Sequence, residues 1–181
     1  MNSLFELYKQ VKENKISPYT IYLDMDGVIA DFDQRFRDLS GMSPKEYQDK
    51  YGMDSFWDFI DEENKVKFWA GIPPMPGAKQ LIDYVSQYDY EILTAPSVKK
   101  QSRLGKIIWV KKVHSNLFPS TPKINFKFSK EKQNIKPVLS SSDILIDDRE
   151  DTIQRWNEKG GTGIHFTSTP QAINALKKLG L

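Results

Sequence analysis

Residues 20–27 read TIYLDMDG, and this stretch decides what kind of fold the chain can form. Its first half is β-branched, aromatic or aliphatic, which is typical of a short buried strand. The strand pattern stops at Asp24, Asp26 and Gly27. Carboxylates directly after a buried strand are unfavourable unless they have a partner, so the stretch predicts a strand whose end carries chemistry.

Strand and helix patterns alternate through the second half of the chain. The strand patterns occupy residues 90–94, 124–128, 143–147 and 163–166, and the helical patterns occupy residues 77–87, 99–114, 150–158 and 170–179. This alternation predicts an α/β fold, a Rossmann-like parallel sheet flanked by helices. A further helix is predicted at residues 3–13, before the first strand.

Residues 31–70 interrupt the alternation. They are acidic and aromatic, and their helical patterns break at Gly41 and Gly52. Between the two breaks, residues 43–46 read SPKE, which is typical of a helix start. We therefore expect a small helical subdomain inserted after the first strand. The predicted division is an α/β core of residues 1–30 and 71–181 and a helical subdomain of residues 31–70.

The composition of the 181 residues excludes several classes of protein. There is no cysteine, which excludes a disulfide scaffold, a thiolate metal site and a thiol nucleophile. No apolar run approaches the roughly 18–20 residues of a membrane span, and the mixed charge of the N-terminus is unlike a signal peptide. We therefore expect a cytoplasmic protein with no membrane partner. His165 lies in an apolar strand pattern and is expected in the core.

Charge is distributed unevenly along the chain. Residues 22–63 contain twelve acidic residues and four basic ones, whereas residues 99–136 contain eleven basic residues and one acidic residue. Two interpretations stay open. Either the acidic and basic stretches form two solvated faces, or an acidic metal-binding end faces a basic anion-binding end. The net charge of +2 is too small to predict a stable nucleic-acid complex.

Three predicted strands end in polar residues: Asp24 and Asp26, Thr94, and Asp147 and Asp148. In parallel sheets, ligands bind at the carboxyl ends of the strands. Carboxylates gathered there repel one another unless a cation lies between them, and an all-oxygen ligand set favours magnesium. Taken alone, Asp24 and Asp26 are compatible with a turn, and Asp147 and Asp148 are compatible with a helix N-terminus. A calcium loop is a poor fit because its twelfth position holds Arg35.

Together these motifs resemble those of the haloacid dehalogenase-like phosphohydrolases. The four matching pieces, in chain order, are residues 23–28, Leu93-Thr94, Lys106 and residues 144–148. The similarity is closer to the 5'(3')-deoxyribonucleotidases, and it rests on residues 24–32, Phe56-Trp57, residues 74–78, residues 106–110 and residues 146–149.

The resemblance implies that residues 31–70 form a small helical cap, and it implies a role for each motif residue. Asp24 would be the nucleophile, and Asp26 the general acid and then the general base. Mg²⁺ would be held by Asp24, the Asp26 backbone carbonyl and Asp148, with Asp147 as the alternative ligand. Thr94 and Lys106 would bind the phosphate. The substrate-contacting positions would be Phe32, Phe56, Trp57 and Arg149. Ala95 stands where the family usually has a hydroxyl residue, which leaves the base preference open.

The expected function is therefore magnesium-dependent hydrolysis of (deoxy)ribonucleoside monophosphates through an aspartyl-phosphate. One alternative keeps this chemistry and changes the substrate to another small phosphorylated metabolite or the 3'-phosphate end of a nucleic acid. A second alternative is a non-catalytic nucleotide-binding or scaffold protein, which would not need an acid–base pair. The expected partner is a small-molecule nucleotide, and the chain is expected to be a monomer or a homodimer.

Overall fold

The structure is a computed structural model that describes residues 18–181. The helix predicted at residues 3–13 lies outside the described residues. No helix within residues 18–181 is long and apolar enough to cross a membrane.

Five parallel strands form one sheet in the described part of the chain. They are β1 (Thr20–Leu23), β2 (Asp89–Thr94), β3 (Lys123–Phe126), β4 (Asp143–Asp147) and β5 (Thr162–His165). The spatial order is β3-β2-β1-β4-β5, so β1 lies at the centre. Leu23 pairs with Ile92 on one side and Ile146 on the other, which brings the carboxyl ends of three strands level. The predicted Rossmann-like sheet is confirmed, although β3 ends two residues before its predicted end.

Seven α-helices flank or extend this sheet within residues 18–181. They are α1 (Phe32–Ser40), α2 (Pro44–Asp58), α3 (Lys65–Ala70), α4 (Ala78–Val85), α5 (Lys100–Ile108), α6 (Glu150–Glu158) and α7 (Thr169–Lys178). Two π-helical turns interrupt them, Phe59–Asn64 between α2 and α3, and Trp109–Val113 after α5. The helix predicted over residues 99–114 is therefore an α-helix that widens into a π-helical turn.

The helical segment, residues 31–70, follows the local signals in its sequence. Gly41 ends α1 in the left-handed conformation with φ 75°. Ser43 and Glu46 then form a capping box at the start of α2. Gly52 kinks α2 with φ 87°, so both predicted breaks are confirmed.

The helical segment packs on the same hydrophobic core as the sheet. Buried Phe36 and Phe68 belong to one cluster with Ile21 of β1. Helices α3 and α5 approach closely at Gly105, where a Cβ atom would lie 2.3 Å from Trp69 Cβ. Because this contact leaves no room for a side chain, the helical segment is held firmly against the α/β part.

Candidate active site

The turn after β1 brings two aspartates and a glycine to the carboxyl edge of the sheet. Asp24 N–H still donates to Ile146 O of β4 at 3.0 Å, so Asp24 continues the strand pairing. Gly27 then turns the chain with φ +76°, and a Cβ atom here would lie 2.4 Å from Asp148 Oδ2. Only glycine allows both the left-handed turn and the close approach of Asp148.

Three carboxylates converge at this edge. Asp24, Asp147 and Asp148 each offer an oxygen atom, and these oxygens lie within 4.8 Å of one another. Burial and repulsion from Asp24 raise the pKa of Asp147 to about 6, against the lowering effect of Lys132. Burial and the charges of Asp24 and Asp147 raise the pKa of Asp148 to about 7. The cluster therefore carries negative charge that the described residues compensate only in part.

The two adjacent aspartates at the end of β4 face different surroundings. Asp147 is fully buried, and its oxygens accept from Lys132 Nζ at 2.7 Å and from Arg149 N at 2.9 Å. Asp148 instead lines the cleft described below. Of the two candidate metal ligands, Asp148 is thus the one that faces the cleft.

Lys132 is a site residue that the sequence analysis did not identify. Its ammonium is 1% exposed and lies 2.7 Å from both Asp24 Oδ1 and Asp147 Oδ2. Burial alone would lower the pKa of Lys132, but the charges of Asp24 and Asp147 raise it above its ordinary value. Lys132 belongs to the 3₁₀ helix Ser129–Asn134, in a stretch with so many lysines that spacing does not single it out.

Lys106 does not face the cleft as the sequence analysis expected. It is fully buried, and its ammonium donates to Asp26 Oδ2 at 2.5 Å, Thr94 Oγ1 at 2.7 Å and Ala95 O at 2.7 Å. A lysine ammonium has three N–H donors, so all of them are satisfied by the protein. Thr94 is fully buried as well, and neither side chain belongs to the cleft wall.

Asp26 has one occupied and one unoccupied carboxylate oxygen. Lys106 binds Oδ2, whereas Oδ1 is buried and has no hydrogen-bond partner among residues 18–181. Burial raises the pKa of Asp26 above its usual range, against the opposing charge of Lys106. The direction of this shift is the one that a general acid needs.

A cleft of about 880 Å³ opens above these residues. Asp24, Asp26, Asp148 and Lys132 line its floor, and much of its wall is aromatic. The rings on the wall are those of Phe32, Trp57, Trp69 and Phe128. Phe32 and Trp57 were predicted as substrate contacts, whereas Trp69 and Phe128 were not.

The remaining predicted substrate contacts have different positions. Phe56 is 3% exposed and does not line the cleft, because its ring packs on Phe36 with centroids 4.9 Å apart. It instead supports Phe32, whose centroid lies 6.4 Å away. Arg149 lines the cleft, with its guanidinium bound to Asp151 at 3.2 Å.

His165 is not the core residue that its strand pattern predicted. It is exposed at the end of β5, and its Nε2 lies 2.9 Å from the backbone oxygen of Asp148. The reason is its place at the strand terminus, where the side chain reaches the edge of the sheet. His165 thus contacts the loop that carries a candidate metal ligand.

Solved structures with this architecture are hydrolases of the haloacid dehalogenase-like class. A haloacid dehalogenase-like family hydrolase from Xanthomonas campestris is similar with a TM-score of 0.57 and 10% identity, over 89% of this chain and 91% of that one. The HAD-hydrolase YfnB from Bacillus subtilis, bound to magnesium, has a TM-score of 0.51 and 13% identity, over 80% of this chain and 85% of that one. At such identities the likeness shows the fold.

The family of the chain follows from its sequence. It belongs to the family described as 5' nucleotidase, deoxy (pyrimidine), cytosolic type C protein (NT5C), whose model matches residues 18–175. No match is found among curated proteins. The chain is therefore an enzyme of the phosphatase and nucleotidase kind, and the predicted relation to the deoxyribonucleotidases is confirmed.

Proposed function

We propose that this enzyme is a magnesium-dependent phosphomonoesterase that hydrolyses (deoxy)ribonucleoside monophosphates through a covalent intermediate on Asp24. The observation that carries the proposal is the position of Asp24. It is a buried carboxylate beside the ammonium of Lys132, on the floor of a cleft with aromatic walls. The floor suits a phosphate and the walls suit a nucleobase.

The donor set at the floor fits a hard divalent cation. Asp24 and Asp148 would hold Mg²⁺ together with the backbone carbonyl of Asp26, and all of these ligands are oxygens. The raised pKa values of Asp147 and Asp148 support this assignment, because they reflect negative charge that one buried lysine does not balance. When bound, the ion would neutralise charge on the phosphate oxygens.

The residues of the chain divide the reaction between them. Asp24 Oδ1 is taken by Met25 N–H and Lys132, so Oδ2 is the oxygen that we assign to attack on phosphorus. As the bond from phosphorus to the leaving oxygen breaks, Asp26 Oδ1 gives its proton to that oxygen. Asp26 then accepts a proton from water, and the resulting hydroxide attacks the aspartyl-phosphate and frees Asp24.

The two lysines have separate roles in this proposal. Lys132 lines the cleft and would neutralise the phosphate beside Asp24. The resemblance assigned Lys106 and Thr94 to the phosphate. In this proposal the two residues act through Asp26, because Lys106 binds both Asp26 and Thr94 and has no N–H donor left.

The aromatic wall supports a nucleotide as the substrate. Phe32 and Trp57 present ring surface to the cleft above the carboxylates, and the nearly fully buried Trp69 also borders it. A nucleobase stacked on one ring contributes about 1–3 kcal/mol, and a sugar phosphate without a base gains nothing comparable. The family description, with its pyrimidine deoxynucleotidase and cytosolic type, supports this substrate class and a cytoplasmic location.

The test is a phosphate-release assay on 5'- and 3'-nucleoside monophosphates, sugar phosphates and a small aryl phosphate, with Mg²⁺ and with a chelator. We expect Mg²⁺-dependent activity and a preference for a nucleotide. Phe32→Ala and Trp57→Ala should each weaken kcat/KM for that nucleotide by about 1–3 kcal/mol and leave the aryl phosphate nearly unchanged.

Tyr51→Ala is the matched control, because Tyr51 is an exposed ring of the same helical segment that does not line the cleft. Full activity in the chelator would overturn the metal assignment. A uniform loss on all substrates would show that Phe32 and Trp57 support the segment and do not contact a base. A preference for sugar phosphates would favour the alternative substrate class.

A further inference from the structure

Asp61 is a buried carboxylate that the reaction does not use. It is 2% exposed and belongs to the π-helical turn Phe59–Asn64 of the helical segment. Its Oδ1 accepts from Trp69 Nε1 at 3.2 Å and from Ser97 Oγ at 3.1 Å. Both donors line the cleft, Trp69 from the helical segment and Ser97 from the loop after β2. One carboxylate therefore joins two walls of the cleft.

The π-helical turn is what directs Asp61 inward. Asn64 Nδ2 donates to Phe59 O at 2.8 Å and closes the turn. Lys65 follows with φ 50°, which is the one positive φ of a non-glycine residue within residues 18–181. Such backbone is costly and persists where the surrounding structure requires it. In the same turn Glu62 points outward and binds Lys99 at 2.8 Å.

Burial of a carboxylate here is expensive for a contact that serves packing alone. Two neutral donors share one oxygen, and burial raises the pKa of Asp61 above its usual range. An apolar residue of similar size would fill the space at lower cost. The Asp61 carboxylate is therefore better explained by the two side chains that it binds, Trp69 and Ser97.

The core side of this contact is anchored independently. Ser97 N–H donates to Ser102 Oγ of α5 at 3.0 Å, and Ser102 is fully buried. The loop after β2 thus keeps its position without Asp61. Trp69 Nε1 has Asp61 as its hydrogen-bond acceptor. Asp61 is accordingly the group that binds the polar edge of Trp69, whose ring faces also pack on Phe32 and Phe68.

We propose that Asp61 is a positioning residue for substrate specificity: it fixes the Trp69 ring against the loop after β2 so that the cleft accepts the nucleoside part of the substrate. This inference rests on the proposed function, since it assumes that the leaving group fills the aromatic part of the cleft. It predicts that loss of Asp61 weakens recognition of the leaving group while the phosphate chemistry at Asp24 continues.

The experiment compares Asp61→Ala, Asp61→Asn and Trp69→Phe, which keeps an aromatic side chain smaller than indole and removes the N–H donor. For Asp61→Ala and Trp69→Phe we expect KM for the preferred nucleotide to rise about tenfold or more, in line with loss of a hydrogen bond to a charged group. For Asp61→Ala, kcat for the nucleotide and kcat/KM for the small aryl phosphate should change less than about twofold. Asp61→Asn keeps an acceptor oxygen and should recover part of the loss. Glu62→Ala, which removes only the exposed ion pair of the same turn, should behave as wild type.

A double-mutant cycle decides the outcome. The double variant Asp61→Ala/Trp69→Phe should lose clearly less than the sum of the two single losses, because both changes remove the hydrogen bond between Asp61 and Trp69. Additive losses, or equal losses on the nucleotide and the aryl phosphate, would overturn the inference. If wild type prefers another phosphomonoester, the proposal of a nucleotide substrate is wrong, and the same cycle is measured with that ester. If no ester is hydrolysed, the cycle in thermal unfolding decides, and additive values again overturn the inference.

Discussion

Asp24 and Asp26 are separated by one residue, yet they meet different lysines. Asp24 contacts Lys132 on the cleft floor, whereas Asp26 contacts Lys106 behind it. Burial raises the pKa of Asp26 above its usual range. Under the proposed function, these different surroundings would separate a nucleophile, Asp24, from an acid, Asp26.

Replacement of Asp24 tests the nucleophile directly. Asp24→Asn keeps the shape of the side chain and removes the attacking oxygen anion, so turnover should stop while the fold remains. Steady-state phosphate release and circular dichroism measure the two effects. Residual activity above about one per cent would contradict attack by Asp24, since loss of a general acid–base group alone costs about 100-fold or more.

Replacement of Lys132 should lower stability as well as activity. Lys132→Met leaves Asp24 and Asp147 without their shared ammonium, and a buried ion pair that loses one partner costs about 3–5 kcal/mol. Urea unfolding without metal measures the loss. Lys130→Met, at an exposed neighbouring position, is the control and should change neither quantity. Equal stability of the two variants would show that Lys132 does not hold the carboxylates together.

At the scale of elements, the turn after β1 determines where Asp148 lies. Gly27 and Gly41 have nearly the same backbone, with φ +76° and +75°. A Cβ atom at Gly27 would meet Asp148 Oδ2 at 2.4 Å, whereas nothing lies within 4 Å at Gly41. A substitution at Gly41 therefore tests backbone strain alone, whereas the same substitution at Gly27 tests backbone strain together with displacement of the Asp148 carboxylate.

Alanine at these two positions gives a matched comparison. Gly27→Ala and Gly41→Ala should each lose about 1–2 kcal/mol of stability from the left-handed backbone. Gly27→Ala should in addition weaken Mg²⁺ binding and activity, because Asp148 must move. Calorimetric titration with Mg²⁺ and thermal unfolding measure the two effects. Unchanged Mg²⁺ affinity in Gly27→Ala would contradict a metal role for Asp148.

The elements themselves follow closely from local patterns. The capping box at Ser43 and Glu46 and the breaks at Gly41 and Gly52 are signals that act within a few residues. The π-helical turns at 59–64 and 109–113 were not predicted, because they are single short turns for which the sequence analysis had no local signal. What holds them is packing, as for Trp109, whose Nε1 donates to Ile72 O at 2.6 Å.

At the scale of the whole molecule, the sheet gathers carboxylates from distant parts of the chain, so we expect stability to depend on pH and, under the proposed function, on Mg²⁺. The native pKa values of Asp147 and Asp148 are about 6 and about 7, against an ordinary value of 3.8. The native state therefore holds these protons more tightly than the unfolded chain does. Between about pH 4 and pH 7, the free energy of unfolding of the metal-free protein should fall as pH rises.

Mg²⁺ should reverse this loss where the carboxylates are ionised. The rise in Tm on adding Mg²⁺ should be large at pH 8 and small at pH 5, where protons compete with the ion. Thermal unfolding at both pH values measures it. Asp148→Asn should abolish most of the rise. The same rise at both pH values would contradict metal binding by these carboxylates.

The sequence by itself determined the strand–helix order, the parallel sheet and the two aspartates at the end of β1. These features depend on local periodicity and on a short motif, and both can be read along the chain. Tertiary structure decided which lysine faces the cleft, since Lys106 and Lys132 belong to one basic stretch and differ in what packs around them. It also decided that Phe56 lies inside the helical segment while Trp69 lies on the wall. Side-chain direction depends on contacts between residues far apart in sequence, and no local pattern records those contacts.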